Sequence, residues 1–240
     1  MSLRLKVFLL HLSASALLLS VFAGLLVFLW YTPWPLLSLQ GGVKILGLMV
    51  LIDVVLGPSF TLLIFKPQKS RRELMTDMAL IVALQVAAFG YGAWMLYTER
   101  PVFLALVTER FEVVRAPDIH LEAVDKSVAA LVGAGGAQWV SVETPPALTF
   151  QQILSRLTNS AGIELKPELY RPLQNVKPEL LKKYALPAQE VNASEAAKTW
   201  LQAHQLTAGQ VLLFPVNGRA KPGLAVLSAD THEPLGLIAQ

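Results

Sequence analysis

Three apolar stretches, each long enough to cross a bilayer, constrain the fold of this 240-residue chain more than any other feature. Val7 to Trp30 has His11 as its one strongly polar member, and about 20 such residues suffice for a helix through a hydrocarbon core of roughly 30 Å. Val43 to Phe65 follows, interrupted by Asp53 and the Gly57-Pro58 pair, then Met75 to Tyr97, interrupted by Asp77 and Gln85. In lipid a lone segment satisfies its backbone N–H and C=O groups only as a helix, so residues 1–98 read as a three-span transmembrane domain, with spans at about 7–30, 43–65 and 75–97. Arg4 and Lys6 before the first stretch invite comparison with a cleaved signal. The stretch is longer than the usual apolar region of about 7 to 15 residues and ends in Trp30-Tyr31, not in a small-residue cleavage site, so it reads as a retained span.

Charge then sets the expected orientation. Only 15% of residues are charged, against about a quarter in ordinary soluble domains, and 54% are hydrophobic. The net charge of +3 is uneven: Arg4, Lys6, Lys44, Lys66, Lys69, Arg71 and Arg72 face only Asp53, Glu73 and Asp77 in residues 1–98, while the remainder is slightly acidic. A nucleic-acid surface would need its basic residues clustered on a folded face, whereas these flank spans, so no nucleic-acid partner is expected. Arg4 and Lys6, with the loop basics Lys66, Lys69, Arg71 and Arg72, are the topology signals. The positive-inside rule puts them in the cytoplasm and the C-terminal part across the membrane, with Trp30, Tyr31, Trp34, Trp94 and Tyr97 as the opposite aromatic belt. In a bacterium with two membranes this means an inner-membrane protein with a periplasmic C-terminal domain. The same basic loop suits anionic lipid headgroups, so membrane lipids are expected partners. The absence of cysteine excludes a disulfide scaffold, a thiolate metal site and a cysteine nucleophile.

Two features of the spans point to helix association. Ala16, Ser20 and Gly24 recur every fourth residue on the first span, and Ala79, Ala83 and Ala87 do so on the third, with Ala88 and Gly92 beside them. Small residues let membrane helices approach closely, so these stripes serve either packing of the three spans on one another or docking of a partner helix. Asp53 is the other feature, since a charged carboxylate near mid-span is costly and normally meets a partner or a cavity. Pro58 cannot donate back to the carbonyl of Val54, and Gly57 eases a bend, so Asp53, Gly57 and Pro58 predict a kinked, locally polar point. Asp53 is expected to bond Gln85, His11 or a serine of a neighbouring span, or else to contact a partner. Asp77, close to the basic loop, reads as an interfacial ion partner. A transporter is disfavoured by the lack of repeats and of paired broken helices.

Residues 99–240 read as a small α+β domain with an antiparallel sheet. Pro101 to Thr108 and Arg110 to Arg115 alternate as neighbouring strands, and Gln138 to Val142 is a further short one between the turn-forming Gly133 to Gly136 and Pro145-Pro146. Helical patterns occupy Thr149 to Leu157, Pro178 to Tyr184 and Ser194 to His204; the last has a Ser194 cap and places Ala197, Trp200, Leu201 and His204 on one face. Val211 to Val216, Leu224 to Leu227 and Leu235 to Ile238 predict a closing meander around the Asn217-Gly218 turn and residues 228–234. No catalytic, cofactor or metal site is expected. His120, His204 and His232 are dispersed, and neither a nucleophile elbow nor a phosphate-binding loop is present.

The pattern resembles the type IV pilin accessory protein family, TfpX/TfpZ. The residues that carry the resemblance are Phe8-Leu-Leu-His11, Asp53-Val-Val-Leu-Gly-Pro58 with Thr61, Phe65-Lys-Pro67, Asp77 and Gln85, Tyr91-Gly92, and Arg100-Pro101-Val102-Phe103; Asp230 in the closing turn is similar as well. The likeness is strongest over residues 7–119, and the Gly133 to Gly136 stretch departs from it. It implies an inner-membrane, non-enzymatic accessory of type IV pilus biogenesis whose partner is the major pilin, with other pilus assembly proteins as further partners. Pilins are held in the membrane by a hydrophobic helix containing a glutamate, so the resemblance also implies shelter for such a helix beside the small-residue stripes and Asp53. The competing classes are a membrane-anchored periplasmic sensor or regulator, which the slight cytoplasmic surface disfavours, and an envelope enzyme, which lacks a recognisable constellation.

Overall fold

The computed structural model describes residues 2–66, 68–119, 126–129, 135–143 and 162–240. The chain forms two compact units, one running up to Val27 and over Gly42–Thr98, the other combining Phe28–Gly41 with Glu99–Gln240.

The first unit consists of three long apolar helices, α1 (Leu3–Trp30, whose last residues belong to the second unit), α3 (Gly42–Ile64) and α4 (Arg71–Thr98). A short helix, α2 (Leu36–Leu39), lies between the first two in sequence. The helices are apolar on every side, as the hydrocarbon phase demands, so large side chains such as Leu10, Leu17, Leu63, Leu80 and Val86 point outward. Inward go Leu19, Leu26, Met49, Ile81 and Leu96. Gly92 gives Met49 its room, because a Cβ there would lie 2.6 Å from Met49 Sδ and the methionine would have to shift. Phe22 and Phe89 add an edge-to-face contact at 4.9 Å. α4 starts earlier than its apolar stretch because Ser70 and Glu73 cap it. The Ser70 Oγ accepts the Glu73 N–H at 3.3 Å, and the Glu73 carboxylate accepts the Ser70 N–H at 2.9 Å.

Among its described residues the second unit is a seven-stranded sheet with short helices. Its strands are β1 (Pro101–Val107), β2 (Arg110–Arg115), β3 (Gln138–Val142), β4 (Tyr170–Pro172), β5 (Val211–Asn217), β6 (Gly223–Ser228) and β7 (Pro234–Ala239), in spatial order β4-β3-β1-β2-β5-β6-β7. β1 and β2 form a tight hairpin whose turn residue Thr108 has φ +56°. β5, β6 and β7 form the expected antiparallel meander. The sheet as a whole is mixed, not antiparallel: β1 pairs with β3, and β2 with β5, in parallel. Both parallel neighbours are reached through long connections, which permit either strand direction, and alternation along a strand carries no direction.

Helices α5 (Lys126–Ala129), α6 (Pro178–Tyr184), α7 (Ala188–Ala193) and α8 (Glu195–Ala203) accompany the sheet among the described residues. The Ser194 hydroxyl caps α8 by accepting the Ala197 N–H at 3.3 Å. Of the expected apolar face, Ala197 and Leu201 are buried, whereas Trp200 is half-buried and His204 is exposed. One core gathers Phe103, Ala105, Val140, Val142 and Tyr170; a second joins α7 and α8, through Val191, Ala197 and Leu201, to Val211, Leu213, Val226 and Ile238. The expected helix at Thr149 to Leu157, the Pro145-Pro146 turn, Gly133 and His120 lie outside the described residues.

The connection between the first two spans is part of this domain. The Gly136 N–H donates to the Leu29 carbonyl at 2.9 Å, the Ala137 N–H to that of Thr32 at 2.7 Å, and the Ala220 N–H to that of Leu39 at 2.8 Å. Tyr31, Leu36, Leu37 and Leu39 are buried. This docking accounts for Gly135 and Gly136 in the stretch that departs from the family pattern. Gly136 has φ +66°, a left-handed conformation that favours glycine, and a Cβ there would overlap the Thr32 side chain.

Candidate functional site: a polar point among the spans

The turn that holds Asp53 is not a proline kink of the expected kind. Val50–Leu56 is π-helical, and the Gly57 N–H reaches back five residues to the Ile52 carbonyl. In that register the hydrogen bond that Pro58 cannot make belongs to the carbonyl of Asp53, one residue before the expected Val54. The gap is filled from another helix, since Gln85 Nε2 on α4 donates to the Asp53 carbonyl at 2.9 Å. π turns occur where a ladder is interrupted, and they favour functional positions.

From Gln85 the network continues to α1. With the Gln85 N–H group spent on Asp53, its Oε1 accepts from His11 Nε2 at 2.9 Å, which fixes the proton on that nitrogen. His11 Nδ1 lies 2.7 Å from the hydroxyl of Thr61, and that hydroxyl lies 3.2 Å from the Gly57 carbonyl. With a neutral ring the hydroxyl donates to Nδ1; with a charged ring Nδ1 donates and the hydroxyl turns to the carbonyl. Gly57 gives the Gln85 amide its room, because a Cβ there would overlap it. Asp53, Gly57, Pro58, Thr61 and Gln85 are all buried.

The structure thus brings Asp53, Gly57, Pro58 and Gln85 together, but the expected carboxyl bond does not form. Gln85 binds the backbone of Asp53, His11 binds Gln85 and Thr61, and the buried Asp53 Oδ2 has no hydrogen-bond partner among the described residues. Thr61 is the member that site reasoning missed. Its signal was available, since Asp53, Gly57 and Thr61 recur every fourth residue in an otherwise apolar span.

Neither small-residue stripe is used for packing the bundle. Ala79, Ala83 and Ala87 are exposed, as are Ser20 and Gly24, and Ala16 is half-buried. A Cβ on Gly24 would meet nothing within 4 Å. Of the topology residues, Lys6, Lys66, Arg71 and Arg72 are exposed and Arg4 is half-buried; Asp77, expected to be an interfacial ion partner beside Arg71 and Arg72, pairs instead with Lys69.

Among the described residues, the domain's two histidines, His204 and His232, form no shared site. His204 stacks on Trp200 at 3.8 Å, and its Nδ1 donates to the Trp200 carbonyl at 2.8 Å. His232 belongs to the turn before β7, at φ +61°. Among the described residues no three histidine, aspartate or glutamate side chains gather closely enough to hold a metal ion.

These features define a class, a membrane-helical protein carrying an α+β domain. Comparison with known proteins narrows it. The chain is 36% identical over 120 residues to the fimbrial assembly protein of serogroups C1 and C2 of Dichelobacter nodosus, a match covering 50% of this chain and 88% of that relative. It is 37% identical over 121 residues to the serogroup I fimbrial assembly protein of the same organism, and 34% identical over 106 residues to that of serogroup E1. Those matches cover 50% and 44% of this chain but only 45% and 41% of the two relatives, so the chain spans less than half of their length. By its coverage of the C1/C2 relative, the chain belongs to the fimbrial assembly protein family. No family model and no solved structure matches it.

Proposed function

We propose that this chain is an inner-membrane accessory of type IV pilus biogenesis, of the TfpX/TfpZ kind, that binds the major pilin and stabilises it before or during assembly. The observation that carries the reading is that the spans turn their small-residue stripes outward, leaving close-approach surfaces unused by the protein's own packing. The names of its relatives, fimbrial assembly proteins, agree with this role. The basic ends Arg4, Lys6, Lys66, Lys69, Arg71 and Arg72 face the cytoplasm and touch lipid headgroups, and the α+β domain is periplasmic, where it meets the pilin head. The protein works by binding, without turnover, cofactor or nucleic acid.

The test is the half-life of membrane-held major pilin in cells with and without the full chain, together with co-isolation of pilin and chain from detergent-solubilised membranes. The expected result is a shortened half-life without the chain and recovery of pilin with it. An unchanged half-life and no co-isolation would remove the reading in favour of a sensor or regulator of assembly.

A further inference from the structure

The outward stripes are not the only surface of the bundle that lacks a partner. Between α1 and α4 lies a groove of about 240 Å³, lined on one side by Ala14, Ser15 and Leu18 and on the other by Val82 and Val86. Asp53, His11 and Gln85 contribute its polar lining. Of these three, His11 and Gln85 are committed to the internal network, His11 through both ring nitrogens and Gln85 through both ends of its amide. Asp53 differs: the residue is 6% exposed, and nothing among the described residues donates to its enclosed Oδ2.

We propose that this groove is the docking site for one transmembrane helix of another protein, an apolar helix that presents a single O–H or N–H donor to the Asp53 carboxyl. The chemistry selects the occupant. At this depth the backbone of any proteinaceous ligand must satisfy itself, which leaves a helix. Apolar walls accept its aliphatic side chains, and Ala14 and Ser15 let its backbone come close. Lipid tails would cover the walls equally well but carry no donor, so they would leave Oδ2 as it is. A buried acceptor without a partner is a standing cost that an incoming donor removes. Asp53 therefore acts as the recognition residue, while Gln85 and His11 position it by holding the π turn. This assignment rests on the pilin-binding reading, with the pilin's membrane helix as the occupant. It adds a directed polar contact in the α1–α4 groove to the close approach that the outward stripes allow.

The experiment places a photo-crosslinking residue at Leu18 or Val86 in the groove, or at Ser20 or Leu63 away from it, in the full chain in cells making the major pilin. Capture is read with pilin antibody and with antibody to the chain itself. The expected result is capture from Leu18 and Val86 that exceeds capture from Ser20 and Leu63. Asp53→Leu should reduce it about three- to tenfold, the range of an interhelical hydrogen bond, while Asp53→Asn, which keeps an acceptor, should stay within about twofold of the parent. Val82→Trp, which fills the groove and leaves the Asp53 carboxyl in place, should also abolish capture and serves if Asp53→Leu fails to accumulate. Capture confined to Ser20 or Leu63, capture indifferent to both Asp53→Leu and Val82→Trp, or capture of a second copy of this chain would overturn the groove. If pilin still co-isolated with the chain in those cases, the pilin reading would stand without it. Loss of co-isolation and of all capture would overturn both.

Discussion

The two regions of this protein sort their side chains by opposite rules. In the α+β domain the apolar residues are inside: Phe103, Phe111, Tyr170 and Phe214 are fully buried, and Phe103 meets Tyr170 edge-to-face at 5.1 Å. Among the spans the deepest positions include Asp53, Thr61 and Gln85, while large aliphatic side chains cover the outside. Hydrophobicity therefore identifies the interior of the domain but is silent about the interior of the bundle. There it is the few polar and small residues that say which way each helix faces, because lipid is as good a solvent for leucine as another helix is.

Substitutions at matched positions test this contrast. Phe103→Ala should give the largest effect, about 3–5 kcal/mol of domain stability, read from denaturation of the full chain in detergent with the domain's tryptophan fluorescence. Gly136→Val should follow at about 3 kcal/mol, since it adds left-handed strain and an overlap with Thr32; faster amide exchange over residues 28–41 is its signature. Gln85→Leu, a more hydrophobic residue in a membrane, should nevertheless destabilise the bundle by about 2 kcal/mol, because it strands the Asp53 carbonyl and His11 Nε2. Unfolding in mixed micelles measures it, and a stabilising result would break the contrast. Leu10→Ala, at a position 72% exposed, should change the same measurement by less than about 0.5 kcal/mol.

The same contrast explains what could be read from the residues alone. The spans follow from length and composition, and the β1–β2 hairpin and the β5–β7 meander from alternation between turn residues. The parallel pairings of β3 with β1 and of β5 with β2 were not legible, since they depend on where long connections return the chain. β4 is three residues long and has no room for a pattern. In the spans, Asp53, Gly57, Pro58 and Gln85 stood out because polar and breaking residues are rare there. Their wiring did not, because it rests on a π register that shifts the orphaned carbonyl from Val54 to Asp53. His11 and Thr61 stand 50 residues apart on different spans, and only the packed helices bring them within 2.7 Å.

The bond between Ala220 and Leu39 bears on how the protein is made. Residues 28–41 leave the ribosome early, yet the loop that pairs with Leu39 comes near the end of translation, so at about 5–20 residues per second this strip waits roughly ten to forty seconds for its last partner. A soluble fragment cut at Glu99 would never receive the strip at all. It would expose the surface that Tyr31, Leu36, Leu37 and Leu39 normally cover, and its solubility would say little about the intact domain.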